Sequence, residues 1–126
     1  SYFDWVSLAV DSNSRPAISH WDGDGNLLLA RFDGTWDVET VDSAGNVGSF
    51  SSIAFNSENN PTISYYDETN GTLKIARFNG SSWDIHALST QVDIGQHTSI
   101  AFDPDDNPVI SFYDVTNKDL KVAWYH

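Results

Sequence analysis

The sequence contains no cysteine, which excludes a disulfide framework and any thiolate metal site. Basic residues are scarce, with 6 Lys and Arg against 18 Asp and Glu. The resulting formal net charge of −12 would repel a phosphate backbone or an anionic lipid surface, so neither nucleic acid nor a membrane is expected as a partner. The same acidity serves solubility, or adaptation to a salty medium. No run approaches the roughly 18 apolar residues that a membrane-spanning helix requires. No basic leader followed by an apolar stretch opens the chain, so a secretion signal is expected either to have been removed or never to have existed. Helical periodicity is missing throughout. What is present is 13% aromatic residues in 126 positions, enough for one domain with a true core.

An internal repeat organises those residues. Ser7-Leu8-Ala9-Val10, Ser52-Ile53-Ala54-Phe55 and Ser99-Ile100-Ala101-Phe102 start 45 and then 47 residues apart. Pro16, Pro61 and Pro108 recur in step, as do Ile18-Ser19, Ile63-Ser64 and Ile110-Ser111. Asp22, Asp67 and Asp114 follow, then Leu27, Leu73 and Leu120, and Ala30, Ala76 and Ala123. Trp36-Asp37 matches Trp83-Asp84, while the third copy stops before that point. The units span about 7–51, 52–98 and 99–126 of a single segment covering 1–126.

Each unit divides into four short apolar runs bounded by turn residues. In the middle unit they are Ser52 to Phe55, Thr62 to Tyr66, Leu73 to Phe78 and Trp83 to Leu88, with ten-residue connections at 42–51 and 89–98. Asn79-Gly80 and Asp33-Gly34 suit tight hairpins. In Leu73-Lys74-Ile75-Ala76-Arg77-Phe78, strand alternation puts apolar side chains on both faces. A sheet apolar on both faces must be sandwiched by neighbours. Four strands in a period near 46 residues therefore predict an all-β propeller with three four-stranded antiparallel blades, the last one incomplete.

The stretch Ile63-Ser64-Tyr65-Tyr66-Asp67, Leu73 to Gly80 and Ser82-Trp83 resembles the repeat of uncharacterised secreted bacterial and archaeal β-propellers. It is also similar, more loosely, to six-bladed fucose-binding lectins, which place a Gly-x-Trp or Gly-x-x-Trp turn after the third strand, as in Gly34-Thr35-Trp36 and Gly80-Ser81-Ser82-Trp83. The first resemblance implies an extracellular protein. The second implies sugar held between blades by an Arg, a Glu and a Trp. Arg31 and Arg77 recur here, but no Glu recurs with them.

Propellers close with about four to eight blades, so three blades need completion. Association of identical chains, two giving six blades or three giving nine, is expected to supply it, with the homodimer first and a longer parent chain second. Ser1-Tyr2-Phe3-Asp4-Trp5-Val6 is strand-like and aromatic, a candidate to cover the open edge of a third blade in its own chain or a partner's.

Repetition also sorts the candidate chemistry, because a single catalytic site draws on residues that differ between copies. Asp22, Asp67 and Asp114 are expected to bond local backbone amides. Asp22, Asp24 and Asn26 resemble the start of a calcium loop, although the other copies lack the second Asp and Lys118 would oppose a cation. His20, His86, His97 and His126 occupy four different repeat positions, which is not a metal-ligand spacing. Asn70-Gly71-Thr72 and Asn79-Gly80-Ser81 fit the glycosylation pattern, but hairpin turns explain the same residues and are the expected reading unless the source is eukaryotic and secreted. No nucleophile elbow, phosphate loop or copy-specific carboxylate pair is present. The chain is thus expected to be no enzyme and to need no cofactor. It is expected to be a recognition module for glycan or protein, with Trp36, Trp83, Arg31 and Arg77 as ligand-binding residues. The alternative is a self-assembling scaffold without a small ligand.

Overall fold

The computed structural model describes residues 5–88 and 93–125. Among them the secondary structure is entirely β. β1 (Val6–Val10), β2 (Pro16–Trp21), β3 (Leu27–Phe32) and β4 (Trp36–Asp42) form the first sheet in that order. β5 (Val47–Phe55), β6 (Pro61–Asp67), β7 (Thr72–Phe78) and β8 (Trp83–Ala87) form the second. β9 (Ile94–Phe102), β10 (Pro108–Asp114) and β11 (Asp119–Trp124) form a third, three-stranded sheet in the order β11-β10-β9. All pairings are antiparallel, and each sheet is one propeller blade.

Side chains of the turn residues close the hairpins. Asp22 Oδ1 accepts the amides of Asp24 at 2.8 Å and Asn26 at 3.1 Å. Asp67 and Asp114 accept the amides of Asn70 and Asn117, both at 3.1 Å. Asp11, Asn56 and Asp103 serve the preceding turn of each blade in the same manner. The recurring acids are therefore turn residues, as local side-chain-to-backbone bonding demands.

The inner strands differ from the sequence pattern. β5 and β9 begin at Val47 and Ile94 rather than Ser52 and Ser99, so half of each supposed connection is strand. Along β5 the pairing jumps from Val47↔Asp67 to Ser49↔Tyr66 and then to Ser52↔Ser64. These bulges hide the two-residue alternation from which a strand is recognised. Phe50 and His97, at one repeat position, carry positive φ of 56° and 54°. The remaining strands of the middle blade match expectation to within one residue at each end.

Blades meet through their inner strands, β1 against β5 and β5 against β9. The repeated serines explain themselves here. Ser7 Oγ accepts the Ile53 amide of the next blade at 3.3 Å, and Ser52 Oγ accepts the Ile100 amide at 3.1 Å. Ser19 pairs with Ser51 at 2.9 Å, and Ser64 with Thr98 at 2.8 Å. Apolar clusters fill the gaps: Leu27, Leu29 and Val41 against Ile53, Ile63 and Tyr65, then Leu73 and Ile75 against Ile100, Ile110 and Phe112. Asp42 crosses the first gap, accepting from Tyr65 Oη and from Lys74 Nζ, each at 2.7 Å.

Among the described residues only the middle blade has a neighbour on both sides, and every residue of β6 is buried. The outer blades each keep one bare apolar face. Leu27 is 0% exposed, whereas its repeat counterpart Leu120 is 79% exposed. Val122 and Trp124 join Leu120 on one free face, and Val6, Leu8 and Val10 are exposed on the other. Trp5 packs against Trp21 and Phe50, with ring centroids 5.5 and 4.9 Å away, and Val6 pairs with His20. Within the chain these two residues thus belong to the first blade and do not cover the third. Residues 1–4 of that segment lie outside the described residues, as does His126.

Candidate functional site

The strand pairing assembles a groove between the first and second blades. Leu29, buried against the second blade, shares its face of β3 with Arg31 by strand alternation. In register, Leu29 faces Glu39 and Arg31 faces Asp37 across the β3–β4 hairpin, so all four point toward the second blade. From that blade, Trp83 at the start of β8 leans on the first cluster. Its indole Nε1 donates to Glu39 Oε1 at 2.8 Å. The Arg31 guanidinium lies 5.9 Å from the centroid of the Phe55 ring. Arg31, Asp37, Glu39 and Phe55 line a cavity of about 390 Å³. At its far side Arg15 bonds Asp33 at 3.1 Å and approaches Asp11 at 3.4 Å. The amide hydrogen bond from Arg15 is the main influence holding the Asp11 carboxyl below its ordinary pKa.

This arrangement offers a planar set of N–H donors, two carboxylate acceptors and flat aromatic surface within one recess. Such a combination grips neighbouring hydroxyls through charge-assisted hydrogen bonds while an apolar patch rests on a ring.

The four residues singled out by sequence do not gather at one place. Arg31 and Trp83 meet at the first groove. Arg77 stands between the second and third blades, 5.4 Å from the Tyr125 ring. There His86 occupies the position of Glu39 and also approaches Tyr125, with centroids 5.9 Å apart. Trp36 lies on the opposite face of the first blade, 49% exposed and 5.3 Å from Phe32. The acidic loop forms a self-contained turn, in which Asn26 donates its Nδ2 to Asp22 Oδ2 at 2.7 Å. No group of three or more His, Cys, Asp and Glu suited to a metal occurs among the described residues.

Glu39 escapes a search based on recurrence, because its counterpart is His86. Hairpin register does find it. A turn at Asp33-Gly34 pairs Arg31 with Asp37, and two residues further along the same face stands Glu39.

No protein-family model matches the chain, and no curated protein matches it in sequence. Solved structures do match in fold. One is a fucose lectin from Kordia zhangzhouensis in complex with methyl-fucoside, at 16% identity and a TM-score of 0.62, covering 95% of this chain and 91% of the lectin chain. Another is a triple arginine-to-alanine mutant of AofleA from Arthrobotrys oligospora, at 14% identity and a TM-score of 0.71. That match covers 95% of this chain but 38% of the AofleA chain.

Proposed function

We propose that this protein is a non-catalytic sugar-binding module whose first inter-blade groove takes one monosaccharide unit. The observation that carries the reading is the cavity of about 390 Å³ lined by Arg31, Asp37, Glu39 and Phe55, in which Glu39 Oε1 accepts from Trp83 Nε1 of the next blade at 2.8 Å. Arg31 donates to ring hydroxyls, Glu39 accepts from them and Phe55 offers aromatic surface, while the Trp83 N–H holds Glu39 in place. The likeness in fold to a lectin complexed with methyl-fucoside makes that glycoside the first ligand to test. The resemblance to secreted propellers supports action outside the cell.

Titration calorimetry with methyl-fucoside, backed by a glycan array, tests the reading. A stoichiometry of one site per chain is expected, because His86 supplies no carboxylate to the second groove. Removing a charged hydrogen-bonding group costs roughly 1.5–3 kcal/mol, so Arg31→Ala should weaken binding by about 10- to 100-fold. Trp83→Ala, which releases Glu39, should also weaken binding and leave the strand signal in circular dichroism intact. A folded chain that retains no glycan on the array would refute the assignment.

The partner within this reading is a second copy of the chain. The free face formed by Leu120, Val122 and Trp124 repeats the face of Leu27, Leu29 and Arg31, and the face of Val6, Leu8 and Val10 repeats that of Ser51, Ile53 and Phe55. Leu27, Leu29 and Ile53 already share one cluster inside the chain, so the third blade of one copy suits the first blade of another. Two copies make six blades, within the closing range of about four to eight, and three copies would overshoot it. Light scattering should then give twice the 14.0 kDa chain mass. Leu8→Asp, on an exposed position, should return it to a folded monomer. A wild-type protein that stays at 14.0 kDa at every concentration rules out closure by self-association.

A further inference from the structure

A second recess, of about 420 Å³, opens where β5, β6 and β9 meet. It lies toward the beginning of the inner strands, whereas the sugar groove lies beside the turns that follow them. Trp5, Phe50 and Tyr66 line it with aromatic surface, the Trp5 and Tyr66 ring centroids standing 4.9 and 6.2 Å from that of Phe50. Positive φ at Phe50 sets this ring off the regular strand and into contact with Trp5, Tyr66 and His97. Backbone strain of this kind persists only where the surroundings enforce it.

Two features of the recess lack a counterpart among the described residues. Glu68 and Asp93 both line it, and no Lys or Arg forms an ion pair with either. Among the described residues, the side-chain donor to Glu68 is the neutral Nδ2 of Asn46, at 2.9 Å. Burial first, and then the fields of Asp93 and Glu68, raise the Tyr66 pKa against the opposing Gln96 hydrogen bond, so both charges act on the interior of the recess. The second feature is Ser49, which also lines the recess. It is 2% exposed, and its Oγ has no hydrogen-bond partner. Buried hydroxyls are almost always satisfied, and an orphan calls for a group not yet in place.

We propose that this recess binds a small organic cation that also carries a hydroxyl. Its ammonium head rests against Trp5, Phe50 and Tyr66 between the Glu68 and Asp93 carboxylates, and its hydroxyl reaches Ser49 Oγ. Aromatic faces attract cations through their quadrupole, most strongly when water is excluded. An anion would meet two negative charges. A bare divalent ion would find two carboxylates beside three rings, and no group of three or more His, Cys, Asp and Glu suited to a metal occurs among the described residues. The site is separate from the sugar groove and does not depend on it.

Choline is the probe, with dimethylbutanol as its isostere without charge. Titration followed by Trp fluorescence and calorimetry should show saturable choline binding, with the isostere at least about tenfold weaker. Glu68→Gln, a change at an exposed position, should weaken choline about three- to tenfold and leave methyl-fucoside binding unchanged. Ser49→Ala should weaken choline but not tetramethylammonium, which lacks the hydroxyl. Equal binding of choline and its isostere, or no saturable choline binding by the folded chain, overturns the proposal. Loss of choline binding with Arg31→Ala would overturn the separation of the two sites.

Discussion

Replacing Asp42 with Ala is expected to destabilise the protein by about 3–5 kcal/mol, the usual cost of removing one partner from a buried ion pair. Asp42 is 6% exposed and holds both Lys74 Nζ and Tyr65 Oη at 2.7 Å. Its loss leaves an ammonium inside the first inter-blade gap with Asp67, 3.9 Å away, as its remaining carboxylate. A cost of that size lowers the melting temperature by roughly 10 °C or more. Pairing Asp42→Ala with Lys74→Met should recover much of the loss, since an apolar pair of similar volume needs no counter-charge. Failure of the double variant to recover would show that the cost comes from the Tyr65 bond instead.

The same residue sets a pH dependence. Burial alone would raise the Asp42 pKa, but the Lys74 bond, the Ala44 amide and the Tyr65 hydroxyl together hold it below its ordinary 3.8. A carboxyl depressed in the folded state contributes stability that is fully present above its unfolded pKa and is lost as pH falls through the folded value. Asp114, bonded by Asn117 and then by Lys121, is held down at about 2. Unfolding by acid should therefore set in below pH 3.8 and steepen toward 2. Asp42→Asn should make this profile shallower in a series of denaturant melts across that interval. An unchanged profile would remove Asp42 from the account.

Gly95→Ala is expected to be comparably damaging. A Cβ at Gly95 would stand 2.6 Å from Leu73 Cα and 2.7 Å from Leu73 Cβ, at a φ of +118°. The backbone conformation costs a non-glycine residue about 1–3 kcal/mol, and forcing two blades apart adds a similar amount, roughly 1–3 kcal/mol. Gly80→Ala separates the two contributions, because its φ is +104° but nothing lies within 4 Å of the added carbon. Urea melts should rank Gly95→Ala well below Gly80→Ala in stability. Equal effects would mean that conformation alone decides and that the blades tolerate the extra methyl.

The bulged starts of β5 and β9 show why part of the fold was not legible in the amino-acid order. Hairpins such as Asp67 to Thr72 rest on bonds between residues three apart, and nearby letters predict them. The bulge at Gly48-Ser49-Phe50 exists because the inner strand must pass Leu27, whose Cα lies 3.0 Å from where a Gly48 Cβ would stand. That constraint comes from a residue more than twenty positions away, so no local pattern announces it. Glu39 and Trp83 meet for a related reason. They are 44 residues apart, and their encounter depends on how one blade is rotated against the next.

The repeat by itself determined the number and order of the strands, the hairpins and the need for neighbours on both faces of a blade, since each follows from the spacing of apolar and turn residues along one chain. Where a groove acquires its chemistry was settled only by packing. Equivalent positions hold Glu39 in one gap and His86 in the other, and Arg31 and Arg77 face different rings. Equivalent letters become unequal once each faces different neighbours, because charge, hydrogen bonding and burial are properties of a place in space.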